Sequence, residues 1–190
     1  GAVAALDYLI ASNRNGLGDK VPAFETGELD AAGKRVVVIG GGDTAMDCVR
    51  TAVRQGASSV ICVYRRDQAN MPGSQREVAN AEEEGVAFEW LAAPCAVSAT
   101  VKAVRMRLGA PDSSGRQTPK EIKGSEFEIP ADIVIKALGF EPENLPSLFD
   151  APKLKVNRRG QIGVNPATLE TSLPGVYAAG DIVRGASLVV

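Results

Sequence analysis

The stretch Val36–Ala45, VVVIGGGDTA, constrains the fold more than any other part of the sequence. Four branched apolar residues run directly into three glycines, and a segment with helical spacing follows. A continuous apolar run is typical of a parallel strand that is buried on both faces. The glycines fit G-x-G-x-x-G/A, in which Gly40 permits a tight turn, Gly42 lets the backbone approach a pyrophosphate, and Ala45 lets the helix pack against the strand. The stretch therefore predicts a dinucleotide-binding turn; the alternative is a glycine-rich turn with a structural role only.

The surrounding pattern is that of a nucleotide-binding half-fold. The predicted elements, in order, are a strand at Arg35–Ile39, a helix from Asp43 to about Gln55, a strand at Ser59–Tyr64, a helix at Ser74–Glu84 and a strand at Val86–Leu91. The segments Lys102–Leu108 and Glu126–Ile129 predict antiparallel strands on either side of a polar turn, and Ile133–Ile135 predicts another buried strand. The predicted fold class is α/β, a Rossmann-like parallel sheet (β-α-β-α-β) with an inserted antiparallel β-meander.

The two ends of the chain are less regular. Residues 2–12 predict a helix with Val3, Leu6 and Ile10 on one face, and residues 14–34 predict a loop. From about residue 140 prolines are frequent, and this part predicts a hairpin at NRRGQIGVN, a strand at GVYAAGD and the start of an apolar helix. A domain boundary is therefore expected near residue 139.

Composition narrows the function. The net charge is −2, which favours neither nucleic acid nor an acidic membrane as a partner. No apolar run approaches the roughly 18 residues of a membrane span, and no signal pattern opens the chain, so we expect a cytoplasmic protein. Cys48, Cys62 and Cys95 lie far apart without a C-x-x-C, and we expect buried, inert thiols, no iron–sulfur ligands and no metal site. The sequence has no histidine, so we name no catalytic acid or base and expect a cofactor to carry any chemistry.

The end of the second predicted strand indicates which dinucleotide binds. An NAD site places a carboxylate there for the ribose 2′-hydroxyl, but this sequence has Arg65 and Arg66. Guanidinium groups grip a 2′-phosphate with charge-assisted bonds, which favours NADP(H). The alternatives are a solvated surface pair of arginines, or Asp67 as the ribose partner. Asp43–Thr44 is expected either to contact the ligand or to cap the helix.

Three segments carry a resemblance to a known family: residues 36–78, which begin VVVIGGGDTAMDC and include VYRRDQANMPGSQREV, then KALGF, then YAAGDIVRGASLVV. They closely resemble the small (beta) subunits of NADPH-dependent glutamate synthases, and the similarity runs over essentially the whole chain. More distantly, they resemble dihydropyrimidine dehydrogenase and thioredoxin-reductase-like flavoproteins. The resemblance implies a flavoprotein with two dinucleotide-binding domains, in which NADPH reduces FAD and iron–sulfur clusters pass electrons to a glutamate-forming large subunit.

The resemblance also implies roles for individual residues. The residues that match the family's NADPH phosphate loop are Gly40, Gly41, Gly42, Asp43, Thr44 and Ala45. The pair Arg65–Arg66 matches its 2′-phosphate clamp, and Ala137–Gly139 matches the strand end where the chain returns to the flavin domain. Toward the end of the chain, the matches are Gly180 and Asp181 for the flavin ribityl–phosphate region, and Ala186, Ser187 and Leu188 for a helix start near the flavin ring. Asp181 has a structural alternative, which is to cap the next helix.

On this resemblance, residues 1–139 are an NADPH-binding domain and residues 140–190 are an incomplete C-terminal segment of an FAD-binding domain. The family's first glycine loop, which binds the ADP half of FAD, and its N-terminal cysteine clusters have no counterpart in these residues. The expected partners are therefore those FAD and iron–sulfur segments of the same chain and the glutamate synthase large subunit. We expect that the 190 residues alone hold no FAD and are inactive.

Three other functions compete with this one. A related flavoprotein could use the same NADPH module to feed a different electron acceptor. A non-catalytic NADP(H)-binding module would not need the flavin-facing segment AAGDIVRGASLVV. A thioredoxin-reductase type of enzyme needs a dithiol to receive the flavin electrons, and the missing C-x-x-C disfavours it.

Overall fold

The chain divides into two units, Gly1–Gly139 and Phe140–Val190. A five-stranded parallel sheet forms the centre of the first unit. The structure, a computed structural model, describes residues 1–98, 100–113, 115, 117–139 and 142–185. The strands are β1 (Val3–Ala4), β2 (Arg35–Ile39), β3 (Ser59–Tyr64), β4 (Ala87–Trp90), β5 (Ala92–Val97), β6 (Thr100–Pro111), β7 (Gln117–Pro130) and β8 (Ile133–Lys136). The parallel sheet has the order β1-β8-β2-β3-β4, and β5-β6-β7 form a separate antiparallel sheet.

Helices connect the parallel strands. They are α1 (Ala5–Gly16), α2 (Pro22–Glu25), α3 (Asp43–Arg54) and α4 (Gln75–Glu83) in the first unit, and α5 (Leu145–Leu148) and α6 (Asp181–Arg184) in the second. A short 3-10 helix, Gln68–Asn70, lies between β3 and α4. None of the described helices is long and apolar enough to cross a membrane.

The apolar run of β2 is buried on both faces. Val36 and Val38 belong to a core cluster that contains the buried residues of α3, among them Met46. On the opposite face, Val37 and Ile39 pack in a second cluster. That cluster includes residues of the antiparallel sheet, namely Ala92, Val101 and Ile129. One face of the parallel sheet is therefore covered by helices and the other by the inserted meander, which confirms the predicted fold class.

The strand β5 was not predicted from the sequence. Its segment AAPCAV has little β-branched character, and Pro94 cannot donate a backbone hydrogen bond to a neighbouring strand. The structure accommodates the proline with a shift of register between Pro94 and Ala96 in the pairing of β5 with β6. The strands β6 and β7 also extend well beyond their predicted bounds.

The prediction at the N-terminus is wrong in part. Val3 does not begin a helix but pairs in parallel with Ile135 of β8. Within α1, Leu6 and Ile10 are 45% and 54% exposed, and the buried side is formed by Ala5 and Tyr8 instead. Because both sets of residues have helical spacing, periodicity alone could not decide which side faces the core. The predicted loop at residues 14–34 is also wrong, since α1 continues to Gly16 and Pro22 occupies the first position of α2, where its missing N–H costs little.

The second unit has little regular structure. The predicted hairpin is confirmed as a tight turn, closed by an antiparallel bridge between Val156 and Ile162. The predicted strand GVYAAGD is wrong, because this segment makes only one isolated bridge, from Tyr177 to Glu170. Of the large apolar side chains of this unit, the buried ones among the described residues are Leu154 and Ile162.

A bidentate ion pair joins β2 to the start of β8 at the amino-terminal edge of the parallel sheet. The Arg35 guanidinium donates to both carboxylate oxygens of Asp132, at 2.7 and 3.0 Å, and the Arg35 backbone N–H donates to the same carboxylate at 2.9 Å. These hydrogen bonds hold the pKa of Asp132 well below its usual value.

We predict that Asp132 makes folding stability pH-dependent in the acid range. Because its pKa is lower in the folded state than in the unfolded state, its contribution is present above the ordinary carboxyl pKa and is lost as the pH falls through the folded value. Asp132→Asn should reduce the free energy of unfolding at pH 7 and flatten its fall between about pH 5 and pH 2. Urea denaturation across this range measures both effects. Asp19→Asn removes an exposed carboxylate that pairs with Arg14 in the last turn of α1, and it serves as the control. An unchanged pH profile in Asp132→Asn would contradict the assignment.

Candidate functional site

A cleft of about 760 Å³ opens where β2, β3 and β8 end. Its lining residues are Ile39, Gly40, Gly41, Gly42, Thr44, Val63, Tyr64, Arg65, Arg66, Pro72, Ala92, Ala93, Pro94, Ala137, Leu138 and Gly139. Because the strands are parallel, their carboxyl ends meet at one edge of the sheet, the edge where open α/β sheets bind ligands. The cleft brings together the glycine turn, both arginines and the strand end at 137–139.

Gly40 is required by the packing of the chain itself. Its φ is +150°, and a Cβ there would lie 2.2 Å from the carbonyl oxygen of Ala137. The backbone is held in place by two hydrogen bonds, from Gly40 N to the Val63 carbonyl at 3.1 Å and from Ala137 N to the Ile39 carbonyl at 2.8 Å. The three strand ends are thus fixed in contact at the base of the cleft.

Gly41 is also explained by its protein neighbours. A Cβ at this position would lie 2.4 Å from the Tyr64 ring. That ring is fixed in turn, because its hydroxyl donates to the Asn70 carbonyl at 3.2 Å and its edge packs against Trp90, with ring centroids 6.4 Å apart. Gly41 therefore makes room for an aromatic side chain rather than for a ligand.

Gly42 differs from both. Its backbone is extended, with φ −96° and ψ 176°, which any residue can adopt. No heavy atom lies within 4 Å of the place where its Cβ would be, and the residue lines the cleft. Nothing inside the described protein demands a glycine here. The space beside Gly42 is open to a ligand at the N-terminus of α3, where free N–H groups and the helix dipole attract anions.

The residues that follow the glycines have distinct places. Thr44 lines the cleft, whereas Ala45 is fully buried in the core against the sheet. Gly42 occupies the N-cap position, so α3 has no side-chain cap. The Asp43 carboxylate accepts instead a hydrogen bond from the backbone N–H of Ser74, at 2.8 Å.

Arg65 and Arg66 follow β3 directly and line the cleft. Among the described residues, neither forms an ion pair. Arg65 is exposed, and the Nε of the half-buried Arg66 has no hydrogen-bond partner. Asp67 does not line the cleft, and its Oδ1 is occupied by the backbone and side-chain N–H groups of Asn70, at 3.0 and 2.7 Å. This occupancy argues against Asp67 as a ribose ligand.

The strand end after β8 lines the same cleft. Ala137 is buried beneath the glycine turn, Leu138 is 73% exposed, and Gly139 has φ +100°, a conformation that favours glycine. An exposed leucine at this place gives the cleft an apolar contact surface. Leu138 lies within the expected segment Ala137–Gly139, whereas Pro72 and the start of β5 were not expected in this wall.

The remaining residues expected at the site lie in the second unit. Gly180 has φ +83° and precedes α6, and Asp181 is the exposed first residue of that helix. No side-chain hydrogen bond caps α6. The expected residues Ala186, Ser187 and Leu188 lie outside the described part of the chain.

The cysteines form no redox or metal site in the described ranges. Burial raises the pKa values of Cys48 and Cys62 to about 12, so both thiols stay protonated. Cys95 is exposed, which corrects the expectation that all three thiols are buried. Within the described residues no group of three metal-ligating side chains comes together.

Comparisons with known proteins identify the family of the chain. The model of the family described as pyridine nucleotide-disulphide oxidoreductase matches residues 10–190. The chain is 66% identical over 193 residues to the glutamate synthase (NADPH) small chain of Azospirillum brasilense, covering 99% of this chain and 40% of the relative. This identity confirms the resemblance seen in the sequence. It is also 46% identical over 178 residues to the NADP(+)-dependent formate dehydrogenase subunit beta of Moorella thermoacetica, covering 90% of this chain and 24% of the relative.

Among solved structures, FprA of Mycobacterium tuberculosis in complex with NADPH has a similar fold, with a TM-score of 0.63 and 19% identity over 87% of this chain and 51% of that one. At this identity the likeness shows the fold alone. The chain spans less than half the length of the two curated relatives named above.

We predict a large loss of stability at one glycine of this turn and a small change at another. Gly40→Ala should cost about 3 kcal/mol of folding free energy or more, because its methyl group meets a backbone carbonyl that two hydrogen bonds hold in place. Gly42→Ala should change stability by less than about 1 kcal/mol, since its methyl group points into open space. Chemical denaturation of the two variants provides the comparison, and an equal loss in both would show that the turn is packed differently.

Proposed function

The chain belongs to the pyridine nucleotide-disulphide oxidoreductase family, and we propose that Gly1–Gly139 is the NADPH-binding domain of a flavin-dependent oxidoreductase. The observation that carries this proposal is the pairing of two features in one cleft. Gly42 leaves open space at a helix N-terminus, and Arg65 and Arg66 line the same cleft without a carboxylate partner in the described part of the chain. The first feature suits a pyrophosphate and the second suits a further phosphate.

The pyrophosphate of the dinucleotide would lie beside Gly42. A side chain at this position would occupy the space that the phosphate oxygens need, although it would disturb no protein contact. The twelve-residue helix α3 begins at the next residue, so its unpaired N–H groups and dipole stabilise the negative charge. Thr44, in the same wall, offers a hydroxyl to the phosphates.

The 2′-phosphate would be bound by Arg65 and Arg66. Unlike these two residues, some other arginines form ion pairs with carboxylates. Arg35 pairs with Asp132, and Arg50 pairs with Glu84. A planar guanidinium matches two phosphate oxygens at once, and each such charge-assisted bond contributes about 1.5–3 kcal/mol. The family relatives named for NADPH or NADP(+) support this preference.

The proposed reaction passes hydride from NADPH to FAD. Bound FAD would supply the hydride acceptor, and the part of this chain is to bind and orient the nicotinamide. Such a transfer depends on the two rings being held in near-contact and needs no side-chain acid or base, so a chain without histidine is suited to it. The exposed Leu138 provides an apolar surface at the cleft.

We place Phe140–Val190 in the FAD-binding domain of the same protein. Two observations support this. Gly180 and Asp181 stand at the start of a helix, where an acidic residue could meet flavin hydroxyl groups. Large apolar side chains of this unit are also exposed, which is expected of a segment that packs against further protein. They are Leu148, Phe149, Val156, Leu169, Val176 and Tyr177. We propose that the FAD and iron–sulfur segments of a longer chain cover them, and that these 190 residues alone neither retain FAD nor oxidise NADPH.

For the whole protein, we propose the small subunit of a cytoplasmic glutamate synthase, which passes electrons through iron–sulfur clusters to a glutamate-forming large subunit. The 66% identity to a protein of that name supports it. A second candidate is a flavoprotein that feeds another acceptor. The formate dehydrogenase subunit favours it, since that relative is 46% identical over most of this chain but carries a different name.

We predict that the chain binds NADPH more tightly than NADH. Arg65→Ala and Arg66→Ala should each raise the Kd for NADPH about tenfold or more, and leave the Kd for NADH within about twofold, because NADH has no 2′-phosphate. Isothermal titration calorimetry with both cofactors measures these constants.

Two control variants accompany this measurement. Arg107→Ala removes an exposed arginine outside the cleft and should leave both constants unchanged, which accounts for net charge. Gly42→Val should abolish the binding of both cofactors while the protein stays folded. Equal affinities for NADPH and NADH in the parent protein would refute the role of the arginines.

A further inference from the structure

The connection between β3 and α4, residues 65–74, begins with the two arginines and returns to the glycine turn. Two hydrogen bonds tie its end to that turn. The Gly73 N–H donates to the Gly41 carbonyl at 2.9 Å, and the Ser74 N–H donates to Oδ1 of Asp43 at 2.8 Å. The connection between β3 and α4 thus links the arginines to the glycine turn.

The contact at Gly73 is one of backbone against backbone. Gly73 is buried, and a Cβ there would lie 3.1 Å from the Gly41 carbonyl oxygen and 3.3 Å from the Gly42 carbonyl carbon. At these distances the backbone at Gly73 is in close contact with the backbone of the glycine turn. The adjacent Pro72 lines the cleft, so this contact sets the position of a part of its wall.

The connection is also braced within itself. Asp67 accepts two hydrogen bonds from Asn70, whose carbonyl accepts one from the Tyr64 hydroxyl. The Gln75 side-chain amide donates to the Gln68 carbonyl at 3.1 Å. Because these contacts span the connection from end to end, a shift at Ser74 is transmitted toward the arginines rather than absorbed on the way.

The Asp43 side chain links the start of α3 to the end of this connection. A carboxylate has only acceptor oxygens, so it cannot donate a hydrogen bond to a phosphate, and its charge beside the pyrophosphate opposes binding. Its observed contact is with the Ser74 N–H. We propose that Asp43 is a positioning residue, which holds the connection that carries the arginines against the glycine turn. In this way it sets the preference for a 2′-phosphorylated dinucleotide. This inference rests on the proposed NADPH site.

The test compares Asp43→Ala with Asp43→Asn in the full chain. The quantity of interest is the preference ratio, the Kd for NADH divided by the Kd for NADPH, from calorimetry. Asp43→Ala leaves the Ser74 N–H without its acceptor, and the ratio should fall about tenfold. Asparagine keeps an Oδ1 acceptor at the same place without the charge. Asp43→Asn should therefore keep the ratio and bind both cofactors at least as tightly.

A second pair of variants tests the same contact from its other side. Ser74 has φ −58°, close to the value that proline fixes, so Ser74→Pro removes the donor N–H, and its ring carbon displaces the Asp43 carboxylate from this contact. This variant should lower the preference ratio as Asp43→Ala does. Ser74→Ala keeps the N–H and should leave the ratio unchanged.

The outcomes distinguish a failure of this inference from a failure of the proposed NADPH-binding function. If the parent protein prefers NADPH and both Asp43→Ala and Ser74→Pro retain the full ratio, Asp43 does not position the arginines and only this inference fails. A loss of both affinities in equal proportion also overturns it, since it would indicate a general effect on the fold. A parent protein without affinity for NADPH defeats the proposed function and this inference together.

Discussion

The close approach of Gly40 to the carbonyl of Ala137 is the constraint on which the site depends. At 2.2 Å from that oxygen, no Cβ can be placed, so the chain can turn sharply out of β2 only with a glycine. The turn brings the ends of β2, β3 and β8 together and directs α3 away from them. The cleft, the open space beside Gly42 and the exposed strand end at Leu138 all follow from this one contact.

The distribution of charge explains why the cleft favours a polyanionic ligand. In the described part of the chain, several other arginines are paired with carboxylates. Arg50, for example, binds Glu77 and Glu84 between α3 and α4, and this contact keeps the pKa of Glu84 low. Among the described residues Arg65 and Arg66 form no such ion pair, and both line the cleft. Two guanidinium groups side by side in the wall of a cleft give it a local positive charge, which favours an anionic ligand.

The parts of the fold that local sequence determines were predictable. The uninterrupted run before Gly40 indicated a strand buried on both faces, and the glycine spacing indicated the turn, because both depend on residues adjacent in sequence. The strand β5 escaped prediction because Pro94 has a poor strand propensity and is tolerated only through a register shift against β6. The role of Asp43 could not be predicted either, since its partner Ser74 is brought near by the tertiary fold.

The central claim is that the glycine turn and the two arginines bind one dinucleotide between them. A crystal structure of the chain grown with NADP⁺ tests it most directly. The account predicts the pyrophosphate beside Gly42, within hydrogen-bonding distance of the first N–H groups of α3, and the 2′-phosphate in contact with Arg65 and Arg66. A dinucleotide bound with its 2′-phosphate facing away from both arginines, or bound outside this cleft, would contradict it.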